Sequence, residues 1–260
     1  MPLAVAAVAA VIAVVWLVRR RSQDVRCLSV WQRVLAANHG LRQAQRLGGQ
    51  VRHRYTDLLV ERPLSENVIL RRHATTNILP GLTLYQVLLE EHGNDRQIAL
   101  TEIDEAFRAS TLVKNRMRLA SLKVVPNPFG LIRMAFNRGM KAFPAEGWDF
   151  ECVENSTSRI AFDATRCFYL DTLSASGAPE LTASFCKTDE VWAGLLPPSV
   201  SFVRAHTLGR GDKVCDFQYC RVKPRSFGAG GPAPVADIPT STSPPHCCTR
   251  RAEAPAIKCR

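Results

Sequence analysis

RAHTLGRGDKVCDFQYC, residues 204–220, is the stretch whose reading decides the fold. Ser199–Leu208 and Lys213–Val222 are two alternating runs on either side of Gly209-Arg210-Gly211-Asp212. Glycine admits the positive φ of a tight turn, so the stretch predicts an antiparallel hairpin joined by GRGD, with anion binding by that loop as the lesser reading. Period two puts Arg204 and His206 on one face of the first strand. Around this hairpin, Ile160 to Cys220 gathers Cys167, Cys186 and Cys215 with the carboxylates Asp189, Asp212 and Asp216.

Upstream, Trp148–Val153 and Arg159–Phe168 alternate around the turn-forming residues 154–158, a second hairpin signal. Between the hairpins, Leu170–Leu196 is mostly helical, with Pro179-Glu180 at a first turn and Leu181, Phe185, Val191 and Trp192 facing inward. Three further helices precede the sheet. Asn77–His92 carries Leu82, Tyr85, Leu88 and Leu89 on one face and stops at Gly93. Asp95–Leu122 spaces Ile98, Ile103, Phe107, Leu112 and Met117 through charged residues, and Pro126-Asn127-Pro128 breaks it. Phe129–Phe143 is closed by Pro144 and Gly147. The expected fold is α+β: an N-terminal transmembrane helix, a helical half, then a small antiparallel sheet with interleaved helices.

Met1–Val18 holds no charged side chain and stops at Arg19-Arg20-Arg21. Its length is near the lower limit of about 17–25 residues for a spanning helix, and no basic stretch precedes it as in a cleaved signal. Residues 1–21 therefore read as a transmembrane anchor with a basic flank. The positive-inside rule keeps the arginines, and with them the globular part, in the cytosol of a single-pass membrane protein. Residues 22–76 form a basic amphipathic helical region, with Val30, Val34, Leu35, Leu41, Leu58 and Leu59 at helical spacing, lying on the membrane surface or on the domain. His39, His53 and His73 are given no functional role. Residues 223–260, rich in Pro, Gly, Ala, Ser and Thr, read as a disordered tail.

The 34 Lys and Arg against 23 Asp and Glu leave a net charge of +11, concentrated in the first third and the tail. An anionic membrane accounts for that, and no nucleic-acid-binding motif accompanies it. The nine cysteines are irregularly spaced with no CxxC pair, which excludes a disulfide-dense secreted scaffold and a thioredoxin-like site and fits reduced thiols.

Cys167 ends a predicted strand, Cys186 sits in the following helix, and Cys215 opens the last strand before Asp216 and Phe217, so three elements can bring three thiols together. The ordinary use of such a thiol is as a small buried hydrophobe. The reactive use is as a thiolate, activated by a base or cation such as His206 or Arg204. Arg204 can clamp a carboxylate by its fork while His206 moves a proton, or the two form an exposed surface pair. Cys167, Cys186, Cys215 and His206 can also ligate zinc, but their spacings match no compact zinc motif, so no cofactor is expected and zinc stays an alternative.

The ordered series C-F-Y at Cys167, P-E-L at Pro179–Leu181, C-x-x-D at Cys186 and Asp189, F-x-R at Phe202 and Arg204, T-L-x-x-G-D from Thr207 to Asp212, and C-D-F at Cys215–Phe217 resembles the L-2-amino-thiazoline-4-carboxylic acid hydrolase family. I-L-P-G-L-T-L-Y at Ile78–Tyr85 is similar to that family's helical half. The resemblance implies hydrolytic opening of a cyclic amidine-like thiazoline ring to an N-carbamoyl cysteine, with residues 77–222 as the hydrolase-like domain. A coherent chemistry has a thiolate from Cys186, Cys215 or Cys167 attacking the ring carbon. His206, Asp189 or Asp216 then moves protons, and Arg204 and Thr207 hold the substrate. The expected function is a membrane-anchored hydrolase opening a carbon–nitrogen bond of a small heterocyclic carboxylate, with the membrane as a partner and no nucleic acid. The alternative is a non-catalytic small-molecule-binding module of the same fold at the membrane.

Overall fold

Gly40 takes φ 82°, a backbone region costly to other residues, and turns the chain between helix α1 (Leu28–His39) and helix α2 (Leu41–Glu61). The computed structural model describes Val25 and residues 27–222. Leu28, Trp31 and Leu35 of α1 and Ala44, Leu47, Val51, Tyr55 and Leu58 of α2 are buried. Of the two placements expected for this apolar stripe, the membrane surface or the domain, the second is found: α2 packs on α1 and on a later helix, α4 (Leu79–Glu91).

Asn67 caps helix α3 (Val68–His73), its Oδ1 accepting the Ile69 and Leu70 amides at 3.0 and 3.4 Å. A π-turn over Ala74–Ile78 carries α3 into α4, with Pro80, which has no N–H to donate, in the first turn of α4. In α4, Leu79, Leu82, Thr83, Leu84, Tyr85, Val87 and Leu88 are all buried, so it is a central helix rather than the one-faced helix expected. Gly93 (φ 60°) and Asn94 (φ 70°) end the run. In helix α5 (Arg96–Ala120), Ile103 and Phe107 are buried but Ile98 and Met117 are exposed, so the predicted apolar series is not one continuous face. The boundary between two compact units falls inside α5, between Ser110 and Thr111.

No helix among the described residues is long and apolar enough to cross a membrane, which overturns the expected single-pass membrane localisation and leaves the membrane as a partner without support. The long helices α2 and α5 carry charges throughout: Arg42, Arg46, Arg52, Arg54 and Asp57 interrupt the apolar residues of α2. Residues 1–24, where the anchor was placed, and residues 223–260, read as a tail, lie outside the described residues.

In the second unit, Asn127 caps helix α6 (Pro128–Gly139), and strands β1 (Trp148–Asn155) and β2 (Arg159–Cys167) form the first predicted hairpin. The stretch read as one helical segment is two helices, α7 (Phe168–Ser174) and α8 (Leu181–Ala193), separated by a turn at Gly177 (φ 71°) and Pro179. Strands β3 (Val200–Val203) and β4 (Cys215–Arg221) complete a four-stranded antiparallel sheet in the order β1-β2-β4-β3. The fold is therefore α+β, with a helical half and a small antiparallel sheet.

Register places Phe162 opposite Phe217, Ile160 opposite Tyr219, and Phe202 opposite Tyr219 from the other side. This apolar face is covered by Phe129, Ile132 and Phe136 of α6, by Trp192 of α8 and by Leu196 in the loop after it. Phe162 and Phe217 stack with centroids 4.8 Å apart; each such pair adds about 0.5–1.5 kcal/mol beyond its buried area. The second hairpin differs from expectation. Its first strand stops at Val203, so Arg204 and His206 lie beyond it, and GRGD belongs to a longer connection, residues 204–214, rather than a tight turn.

Candidate active site

Arg204 leaves the sheet because its side chain is drawn to α8. The guanidinium is 1% exposed; Nη1 donates to Asp189 Oδ2 at 2.7 Å, and Nη2 to the Cys186 carbonyl at 2.9 Å and Glu190 Oε1 at 3.3 Å. Its carbon centre lies 5.2 Å from the Phe217 ring centroid and 5.9 Å from that of Phe202, so cation–π attraction adds to the ion pairs. Burial alone would lower the Arg204 pKa; the Asp189 carboxylate outweighs it and holds the group firmly charged. The C-x-x-D, F-x-R and C-D-F stretches thus meet around one cation.

The connection 204–214 is braced at each end by residues of the same motifs. Asp216 Oδ1 accepts the His206 amide at 2.6 Å, the Cys215 thiol accepts the Leu208 amide at 3.2 Å, and Asp212 Oδ2 accepts the Thr207 amide at 2.7 Å. A 3₁₀ turn over Leu208–Arg210 leads to Gly211 at φ 90°. Gly209 serves a different need: a Cβ there would lie 3.0 Å from both the Ala183 amide nitrogen and Cys186 Sγ. A Cβ there would be tighter than nearly all ordinary contacts, so glycine lets the loop lie this close to α8 without displacing it.

Cys186, Cys215, Cys167, Asp189 and Arg204 act electrostatically on one another, so the three thiols and the ion pair share one neighbourhood. Burial is the main influence on all three thiols. It pushes Cys186 to about 12 and Cys215 to about 11, with Arg204 pulling both down and the neighbouring Asp189 pushing both up. Cys167 is raised as well, mainly by burial, against the amides of Leu170 and Tyr169. At neutral pH the resting thiols are protonated. The His206 imidazole faces Asp212 instead, with Nδ1 3.6 Å from Oδ1, and is about half exposed. For Asp212 the hydrogen bond from the Thr207 amide is the chief influence and, together with His206, holds its carboxyl below the usual range.

The family described as L-2-amino-thiazoline-4-carboxylic acid hydrolase matches residues 71–219. The chain belongs to this family. Neither a curated protein nor a solved structure matches it. The hydrolase family match runs from α3 to β4 and takes in every residue of the Arg204 assembly.

Of the residues singled out in the hydrolase motifs, Cys167, Cys186, Cys215, Asp189 and Arg204 are brought together. Thr207, His206, Asp212 and Asp216 belong to the adjoining loop and its braces. Among the described residues, the donor group close enough to share a metal ion is a different one, in the helical unit. Three polar atoms at the site, Arg204 Nε, Thr207 Oγ1 and Thr182 Oγ1, are buried without a hydrogen-bond partner. Sequence reasoning missed Glu190, Thr182 and Tyr219. Burial pushes the Tyr219 phenol up, with Asp189 and Arg204 acting on it in opposite directions. The alternation Phe217, Tyr219 on β4 was the signal that could have placed Tyr219 on the apolar face.

Proposed function

We propose that the chain hydrolyses a small heterocyclic carboxylate of the thiazoline type by adding water across its carbon–nitrogen double bond. The observation that carries this reading is that motifs of the matched family, far apart in sequence, gather around Arg204. The buried Arg204 Nε and the Thr207 and Thr182 hydroxyls support it, because buried polar atoms without partners are suited to a polar ligand.

In this reading the Cys186 sulfur attacks the ring carbon and the carbon–nitrogen π pair moves onto nitrogen. The thiol proton leaves to Asp189, the carboxylate beside it. Expulsion of the ring sulfur, which takes up a proton, opens the ring on a covalent intermediate. Water then attacks the same carbon and releases Cys186 as a thiol. Substrate plus one water equals the carbamoyl product. Arg204 and Thr207 hold the substrate carboxylate, His206 with Asp212 supplies the proton to the leaving sulfur, Cys215 and Cys167 line the thiol wall, and Asp216 fixes the loop.

Mass spectrometry of thiazoline carboxylates incubated with the purified chain tests the reaction. Ring opening by the native chain, lost in Cys186→Ala or Cys215→Ala while circular dichroism stays native, is the expected result. Full activity in Cys186→Ala would remove the Cys186 mechanism, and full activity in both variants any mechanism through these two thiols. The protonated thiols and the engaged Arg204 donors favour a second reading, a binding module without turnover. Calorimetric binding of the same carboxylates with no ring opening would select it.

A further inference from the structure

We propose that His39, His92 and Glu102 form a binding site for a divalent transition-metal ion of the zinc class. His39 is the last residue of α1, His92 follows α4, and Glu102 lies on α5, so three helices converge on the site within the helical unit. Glu102 Oε2 lies 2.9 Å from His39 Nε2 and Glu102 Oε1 lies 3.4 Å from His92 Nε2, with the imidazole centroids 5.6 Å apart. One ligand atom from each residue falls within 4.8 Å of the others.

The donor set and its spacing fit such an ion. Two imidazoles and one carboxylate suit zinc and leave a fourth position open. Tetrahedral bonds of about 2.0–2.1 Å put neighbouring donors ~3.3 Å apart, close to the two Glu102 distances. The side chains are 15, 17 and 11% exposed, shielded yet within reach of solvent for entry. His92 Nε2 is buried and makes no hydrogen bond, although it points at the carboxylate. A buried ring nitrogen left unserved costs free energy, and a cation shared with Glu102 serves it. Glu91, held by Gln43 and Arg46, is within electrostatic reach of His39, and Glu105 accepts a bond from the neighbouring Asn38 at 2.9 Å, so the surroundings are acidic. His39 precedes residues 71–219, so the site as a whole is not contained in the family match.

The test uses the full chain, stripped with a chelator and titrated with Zn(II) by calorimetry and with Co(II) by visible absorption. One equivalent should bind, and His92→Gln and Glu102→Gln should each weaken it at least tenfold while circular dichroism stays native. In the unsubstituted chain, Zn(II) should protect His39 and His92 from diethyl pyrocarbonate, read by peptide mass spectrometry, while exposed His53 stays reactive. That arm holds even if a variant misfolds. Absence of a stoichiometric equivalent, or unprotected His39 and His92 at saturating zinc, overturns the proposal. So does an equivalent kept in Glu102→Gln with a thiolate-to-cobalt band, which would assign the metal to the cysteines.

Discussion

Arg204 joins three acceptors on α8 to two aromatic rings of the sheet through a single planar group. A lysine has the charge without the fork, so Arg204→Lys should lose about 1–3 kcal/mol of stability in denaturant unfolding. An unchanged midpoint would mean that these pairings contribute nothing in solution. The thiols give a second expectation. Their folded pKa values, about 12 for Cys186 and about 11 for Cys215, lie above the ordinary 9.0, so their contribution is complete below pH 9 and lost as pH rises through the folded values. Thermal melts should fall steeply above pH 9, and Cys186→Ala should flatten that fall. Alkylation of both thiols should be slow at pH 7. The grouping of the thiols was legible in the order strand, helix, strand, but the fate of Arg204 was not, because alternation along a strand says nothing of where the strand stops.

At the scale of one element, the connection 204–214 is held by close approach as much as by hydrogen bonds. Gly209→Ala forces a Cβ against the Ala183 nitrogen and Cys186 Sγ, and backbone on the helix cannot yield. The expected cost is roughly 1–3 kcal/mol, the range for overpacking, with a shift of Cys186 visible in its alkylation rate. Asp212 gives the loop an acid limit. Its folded pKa is lowered from 3.8, so its support is present above about pH 4 and lost as pH falls through the folded value. The Thr207 amide, which Asp212 accepts, should report that loss in an NMR titration. The glycines of GRGD were read as turn formers. Gly211 is one, by its φ of 90°, whereas the need at Gly209 arises from a helix more than fifteen residues upstream, which no local pattern reveals.

For the whole molecule, helices and strands with strong periodicity were legible, as Asn77–His92 and the Trp148–Phe168 hairpin illustrate. What sequence could not give was pairing at a distance: β4 pairs with β2 as well as with its hairpin partner β3, and His39 at the end of α1 meets Glu102 on α5. The sequence left α2 between a membrane surface and the domain for the same reason, since an apolar face looks alike whether lipid or another helix covers it. That covering has a practical side. Cutting the chain down to residues 71–219 removes α1 and α2, including the Tyr55 hydroxyl that donates to the Thr75 carbonyl at 2.7 Å, and bares the sides of α4 that they shielded. Such a trimmed fragment should express poorly and elute as aggregates in size-exclusion chromatography, whereas the longer chain should elute as a discrete species. The family match covers residues 71–219, and a fragment that keeps α4 covered has to be cut wider than that.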